Sequence, residues 1–157
     1  MTLFPDHMRP MAAGEDPSVD ALLRAAFEGE DEVKMVHHLR KTDAMAGETV
    51  LPMGDRIVGY YALSQMVAPK GWLCVAPVAV ASDVQGRRFC TRMMGMLTQW
   101  ATHTDTTLVI LGKVSLYERA GFSAQRAAHL KSPYPIANTM LAGGGPHVPA
   151  ETLIYPF

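Results

Sequence analysis

The chain has 157 residues, 48% of them hydrophobic and 18% charged, with a formal charge of −1. That length suits one domain over residues 1–157, burying roughly two thirds of the surface the unfolded chain exposes. The balanced charge excludes a strong field for nucleic acid or an anionic membrane. Two cysteines, Cys74 and Cys90, are too few for a disulfide framework, and neither they nor the six histidines show metal-ligand spacing. No uninterrupted apolar run reaches the ~18 residues that span a bilayer. The opening Met1-Thr2-Leu3-Phe4-Pro5-Asp6 has no basic-then-apolar signal pattern. The expectation is a soluble, cytoplasmic protein.

His7 to Ala12 reads as a short first strand. Asp16-Pro17 is a helix start, an Asx cap followed by Pro at the first helical position. Val19, Leu22, Leu23 and Ala26 follow at helical spacing, and Gly29 is the expected stop. A second helix runs from near Glu30-Asp31-Glu32 to His37, His38, Arg40 and Lys41, with Val33, Val36 and Leu39 as its apolar stripe. Acid at its start and base at its end suit the helix dipole.

Thr49–Met53, the Gly54-Asp55 turn and Arg56–Met66 read as a hairpin. Pro52 makes its first strand an edge or a short one. Trp72–Val80 is a Val-rich strand expected to be buried on both faces, and Pro77 within it predicts lost pairing or a bulge. Gln85-Gly86-Arg87-Arg88 leads into the clearest helix, with Phe89, Met93, Met96, Leu97 and Trp100 on one face. Thr107–Leu111 is a short buried strand broken by Gly112. Leu116–Ala120 is a short helix stopped by Gly121. Phe122 onward reads as irregular, Ser132-Pro133-Tyr134-Pro135 as a loop, Asn138–Leu141 as a last strand, and Gly143-Gly144-Gly145-Pro146 as a flexible turn. The order predicts a mixed α/β layer around one sheet, with a right-handed parallel crossover from Trp72 to Leu111.

The passage from Val78-Ala79-Val80 through Gln85-Gly86-Arg87-Arg88 carries the most chemistry. A helix N-terminus presents N–H groups and partial positive charge, and Arg87, Arg88 and Arg92 add cations. Such a site holds phosphate or pyrophosphate. An ordinary strand-to-helix turn with solvated arginines fits the same residues.

The stretch from Val78 to Met94 resembles the acyl-CoA-binding motif of the GNAT superfamily of N-acetyltransferases. That motif is a strand, then Gln or Arg, two variable residues, Gly, one variable residue, Gly or Ala, and a helix. Leu111-Gly112 and Tyr117-Glu118-Arg119-Ala120-Gly121-Phe122 are similar to the family's later signature, a Tyr shortly before Gly-Phe. The layout from residue 7 to about 142, with the Ser132–Pro135 loop, is similar to a bacterial branch of small GNAT proteins. The resemblance implies a single, mostly antiparallel sheet with a splayed parallel strand pair and flanking helices. It also implies acetyl transfer from acetyl-CoA to an amine by direct attack. Backbone groups of Val78 and Val80 would pair with the pantetheine arm. N–H groups of Gln85, Gly86, Arg87, Arg88, Phe89, Cys90 and Thr91 would hold the pyrophosphate, and Tyr117 would protonate the departing thiolate. Arg88 and Cys90 stand where the motif has small residues, and Gly is favoured in such loops because the backbone approaches phosphate closely. A non-catalytic acyl-CoA-binding or regulatory module is the alternative these departures leave open.

Glu28, Glu30 and Glu32, near the junction of the first two helices, are general-base candidates, or simply a solvated acidic helix start. His37 and His38 read as surface residues. Met93, Met94 and Met96 read as core filling. Cys74 reads as a buried strand residue, and Cys90 as a thiol whose pKa a helix N-terminus lowers. The expected partner is a small-molecule or peptide amine, with no metal, nucleic acid or membrane. Oligomeric state and acceptor identity are not legible.

Overall fold

The computed structural model describes residues 6–146, 148–149 and 151–157; the residues read for a signal pattern, 1–5, lie outside these. The elements are β1 (Arg9–Pro10), α1 (Asp16–Ala26), α2 (Asp31–Lys41), β2 (Met45–Met53), β3 (Arg56–Gln65), β4 (Leu73–Val80), α3 (Phe89–His103), β5 (Thr107–Leu111), α4 (Val114–Glu118), α5 (Ala124–Ala127) and β6 (Thr139–Gly143). Short 3-10 turns occupy Ser82–Val84 and Ile136–Asn138. The strands form one six-stranded sheet in sequential order, with β4–β5 as its parallel pair. This is the mixed α/β architecture expected. Tertiary contacts group the chain into two compact units, one made of Met1–Leu63, Pro77–Cys90 and Phe157, the other of Ser64–Ala76 and Thr91–Pro156.

In the first unit α1 starts at Asp16 itself, with Glu15 at the cap position. The Glu15 carboxylate accepts the Ala12 N–H at 2.6 Å and is held by Arg9 at 2.7 and 2.8 Å. The Arg9 hydrogen bonds, and then the Ala12 N–H, lower its carboxyl to about 2. This upstream anchor is why the helix begins one residue earlier than the Asp-Pro signal suggests. It ends at Ala26, where Phe27 is already extended and donates back to the Leu23 carbonyl, so Gly29 lies in the connection and not at the stop. Val19, Leu22, Leu23, Val33, Val36 and Leu39 are buried, as their spacing predicts.

β1 is shorter than His7–Ala12, and its Arg9 and Pro10 pair with Val50 and Thr49. β2 begins at Met45, before the Thr49 expected. Pro52 therefore lies beyond the β1 ladder, where its missing N–H costs no β1 pairing, and its carbonyl accepts the Asp6 N–H at 2.8 Å.

Below β2 lies a polar group that the hydrophobic pattern does not reveal. Tyr60, fully buried on β3, donates its hydroxyl to Glu48 at 2.6 Å. Arg40 of α2 reaches the same carboxylate at 2.7 Å through Nη2. Burial, and then the Glu48 carboxylate, push the Tyr60 phenol far above its ordinary value, so it remains a neutral donor.

In the second unit β5 buries Leu108, Val109 and Ile110 and pairs along its length with antiparallel β6, from Thr107↔Gly143 to Leu111↔Thr139. Its parallel ladder with β4 runs over Leu73↔Leu108 and Cys74↔Val109 among the described residues. α3 buries Met93, Met94, Leu97, Thr98 and Ala101, while Met96 and Trp100 are 58% and 43% exposed. This corrects the expected apolar face. Met93, Leu97 and Ala101 recur every fourth residue, and Met96 and Trp100 each fall one position short, a rotation of about 100° around the helix.

The segment after Phe122 is not irregular. Ser123 caps α5, its hydroxyl accepting the Arg126 N–H at 3.3 Å, and its backbone bridges to Leu141. The C-terminal residues are strand-like, with Lys131↔Thr152 and Ala68↔Ile154 bridges around a buried Leu153.

Tyr60→Phe removes one hydrogen bond to a charged acceptor and leaves the ring. It is expected to cost about 1.5–3 kcal/mol, seen in a thermal melt as a fall of about 3–10 °C. An unchanged midpoint would remove the Tyr60–Glu48 bond from the stabilising interactions.

Candidate functional site

The chain leaves β4 and enters α3 through residues 81–88 of the first unit. Val78 and Val80 are half-buried at the strand end. The Ala81 N–H is bonded to the Val58 carbonyl at 2.8 Å. The 3-10 turn that follows is tied to β3, because Asp83 accepts both Arg56 Nη atoms at 2.6 and 2.8 Å. Gln85 folds its amide back, Nε2 donating to the Val80 carbonyl at 3.2 Å. That carbonyl, one of the backbone groups expected to meet a pantetheine arm, is thus engaged by Gln85.

Two left-handed residues then turn the chain, Gly86 at φ +89° and Arg88 at φ +63°. The second explains the small residue of the motif at this position. Left-handed backbone is free for Gly and costs a side-chain-bearing residue roughly 1–2 kcal/mol. Phe89 is buried and anchors the start of α3, so only its backbone is available to a ligand. Arg87, Arg88 and Arg92 are exposed, and Cys90 and Thr91 half-buried. A 15-residue helix that starts at such a turn presents oriented N–H groups and partial positive charge beside three cations. The donor set fits an anionic phosphate group.

Tyr117 belongs to the second unit and lies on α4, half-buried. Its carbonyl accepts the N–H groups of Ala120 at 3.0 Å and Phe122 at 3.2 Å, closing the chain into a tight turn. Phe122, 3% exposed, meets the Tyr117 ring edge-on at a centroid distance of 6.1 Å. On the other side the ring lies against Gly112, where a Cβ would come within 2.6 Å of Tyr117 Cε2. Gly112 is therefore more than a strand breaker, because its bare backbone gives the ring its seat. The Gly112 N–H is bonded to the Asn138 carbonyl at 3.0 Å, which ties the seat to the start of β6. Sequence reading gave Asn138 as the first residue of the last strand; it ends the 3-10 turn before β6 instead, and its link to Gly112 was not read.

The other candidates separate. Glu30 is bonded to Arg24 at 2.8 Å, which lowers its carboxyl and weakens it as a base. His37 Nε2 lies 2.9 Å from Asp20 Oδ2, while His38 is exposed. Cys74 is buried, and burial pushes its thiol up to about 12, out of the reactive range. Among the described residues no group of three or more His, Cys, Asp or Glu is placed to hold a metal, and no helix is long and apolar enough to cross a membrane.

Comparison with known proteins agrees with this geometry. The model of the acetyltransferase (GNAT) family matches residues 17–122, which include both the 85–91 turn and the 117–122 turn. The uncharacterized N-acetyltransferase YhbS of Escherichia coli K12 is 30% identical over 125 residues, covering 76% of this chain and 74% of its own. The crystal structure of Escherichia coli YhbS in complex with CoA superposes with a TM-score of 0.82 at 23% identity, over 99% of this chain and 91% of that one. A GNAT family acetyltransferase from Brucella melitensis in complex with acetyl-CoA gives a TM-score of 0.78 at 22% identity, over 95% and 94%. The chain belongs to the GNAT family of acetyltransferases, whose acyl donor is acetyl-CoA.

Arg88→Gly relieves the left-handed strain and is expected to stabilise the protein by about 1 kcal/mol, raising the melting midpoint by about 2–4 °C. A lower midpoint would show that the Arg88 side chain contributes more than its backbone costs.

Proposed function

We propose that this chain transfers the acetyl group of acetyl-CoA to a primary amine by direct attack, acting as one catalytic domain over residues 1–157. The observation that carries the reading is the left-handed Gly86–Arg88 turn at the start of a long helix, inside the region matched by the family model. The complexes of YhbS with CoA and of the Brucella enzyme with acetyl-CoA support the same donor here.

In this reading backbone groups of Val78 and Val80 align the pantetheine arm. The N–H groups of Gln85, Gly86, Arg87, Arg88, Phe89, Cys90 and Thr91 hold the pyrophosphate, with the arginine side chains adding charge. Acetyl-CoA supplies an activated thioester. The neutral acceptor amine attacks the thioester carbonyl, a C–N bond forms, the C–S bond breaks, the thiolate takes its proton from the Tyr117 hydroxyl, and the proton that the amide nitrogen sheds passes to water, from which the Tyr117 phenolate is reprotonated. Positioning supplies much of the rate. The acceptor is a small molecule or a peptide, and the low cysteine content supports a cytoplasmic location.

A non-catalytic acyl-CoA-binding module is favoured by one observation, the non-glycine Arg88 in left-handed backbone. Acetyl-CoA offered with a panel of amines (polyamines, aminoglycosides, amino acids and N-terminal peptides) separates the two through release of free thiol. The enzyme reading expects amine-dependent thiol release. It also expects Tyr117→Phe to lower turnover by roughly 10²-fold or more with little change in acetyl-CoA affinity. Binding of acetyl-CoA without transfer to any amine would favour the module. Unchanged turnover in the Phe variant would return Tyr117 to a packing role.

A further inference from the structure

We infer that Thr98, on α3 and outside both signature motifs, is a positioning residue that sets the Tyr117 hydroxyl; this rests on the assignment of Tyr117 as the proton donor.

Within the turn from Tyr117 to Phe122, the Ala120 carbonyl is met by a side chain of α3. Tyr117's carbonyl takes the N–H groups of Ala120 and Phe122. Ala120 is buried, 5% exposed, and helix α4 has already ended, so its carbonyl is left without a helical donor. Thr98 fills that role. Its side chain is 7% exposed, and Oγ1 donates to the Ala120 carbonyl at 2.6 Å. A hydroxyl has one proton, and the alternative acceptor, the Gly95 carbonyl in its own helix, is farther away at 3.0 Å. The bond therefore joins α3 to the turn.

The next residue is shaped around the same hydroxyl. Gly121 sits at φ +107°, and a Cβ there would lie 2.8 Å from Thr98 Oγ1 and 3.3 Å from Thr98 Cβ. Glycine at 121 thus does two things. It turns the chain toward Phe122 and leaves room for the Thr98 hydroxyl to reach the carbonyl before it. Phe122 in turn meets the Tyr117 ring edge-on, so a shift of the turn is passed to the ring through that contact.

The test uses the full chain carrying 3-fluorotyrosine, which gives five fluorine resonances, one per tyrosine; loss of one in Tyr117→Phe assigns it. Thr98→Val keeps the shape and removes the hydroxyl, while Thr98→Ser keeps the hydroxyl. The Tyr117 resonance is expected to shift or broaden in Thr98→Val, the other four to stay, and Thr98→Ser to restore it. With acetyl-CoA and the fastest amine of the panel, Thr98→Val is expected to lower kcat about tenfold, leave the KM for acetyl-CoA within about twofold, and add nothing further in a Tyr117→Phe background. If the Val variant does not fold, Thr98→Cys, a weaker donor, takes its place with the same expectations at smaller size. An unmoved Tyr117 resonance overturns the inference, as does a loss in kcat equally large in the Tyr117→Phe background. Full activity of Tyr117→Phe itself overturns the assignment of the proton donor, while the resonance still reports whether Thr98 fixes the ring.

Discussion

The chain ends a strand and begins a helix within residues 81–88, and the turn between them holds the backbone in place for the rest of the site. Gly86 and Arg88 make this turn at positive φ, while the strand end is braced by the Ala81–Val58 bond and the Arg56–Asp83 pair. The consequence is chemical. The same geometry that starts α3 places its first turn beside exposed arginines. The proposed phosphate site rests on how the helix begins.

The second unit solves a related problem at Tyr117. A short helix cannot hold a side chain firmly by its own hydrogen bonds, so α4 borrows rigidity. Gly112 seats the ring, Phe122 meets its edge, and Thr98 caps the carbonyl at Ala120. Each neighbour is small, buried or both, and none is chemically reactive.

Much of this was legible in the sequence. The strand Thr107–Leu111 and the hairpin turn at Gly54-Asp55 follow from short apolar runs bounded by glycine, and both have the expected limits. The 85–91 turn was singled out by its glycine and arginines ahead of a helix, whereas Tyr117 was singled out only through the resemblance of Tyr117–Phe122 to a family signature. What escaped depends on contacts between segments distant in the chain. The exposure of Met96 and Trp100 is decided by which side of α3 packs inward, a rotation of one residue that periodicity alone does not resolve. The start of α1 is shifted by the Arg9–Glu15 pair. The Arg40–Glu48–Tyr60 group and the Thr98–Ala120 bond join polar residues that read as surface or filler until the fold brings them together.

The central claim is that acetyl-CoA is held by the backbone where β4 gives way to α3. Amide NMR of the ¹⁵N-labelled chain, titrated with CoA, tests this most directly because it reads individual N–H groups. The account predicts saturable shifts that are largest at Gly86 through Thr91, with Val78 and Val80 also moving. Saturable shifts elsewhere that leave those amides in place, or no shift at millimolar CoA, would contradict it.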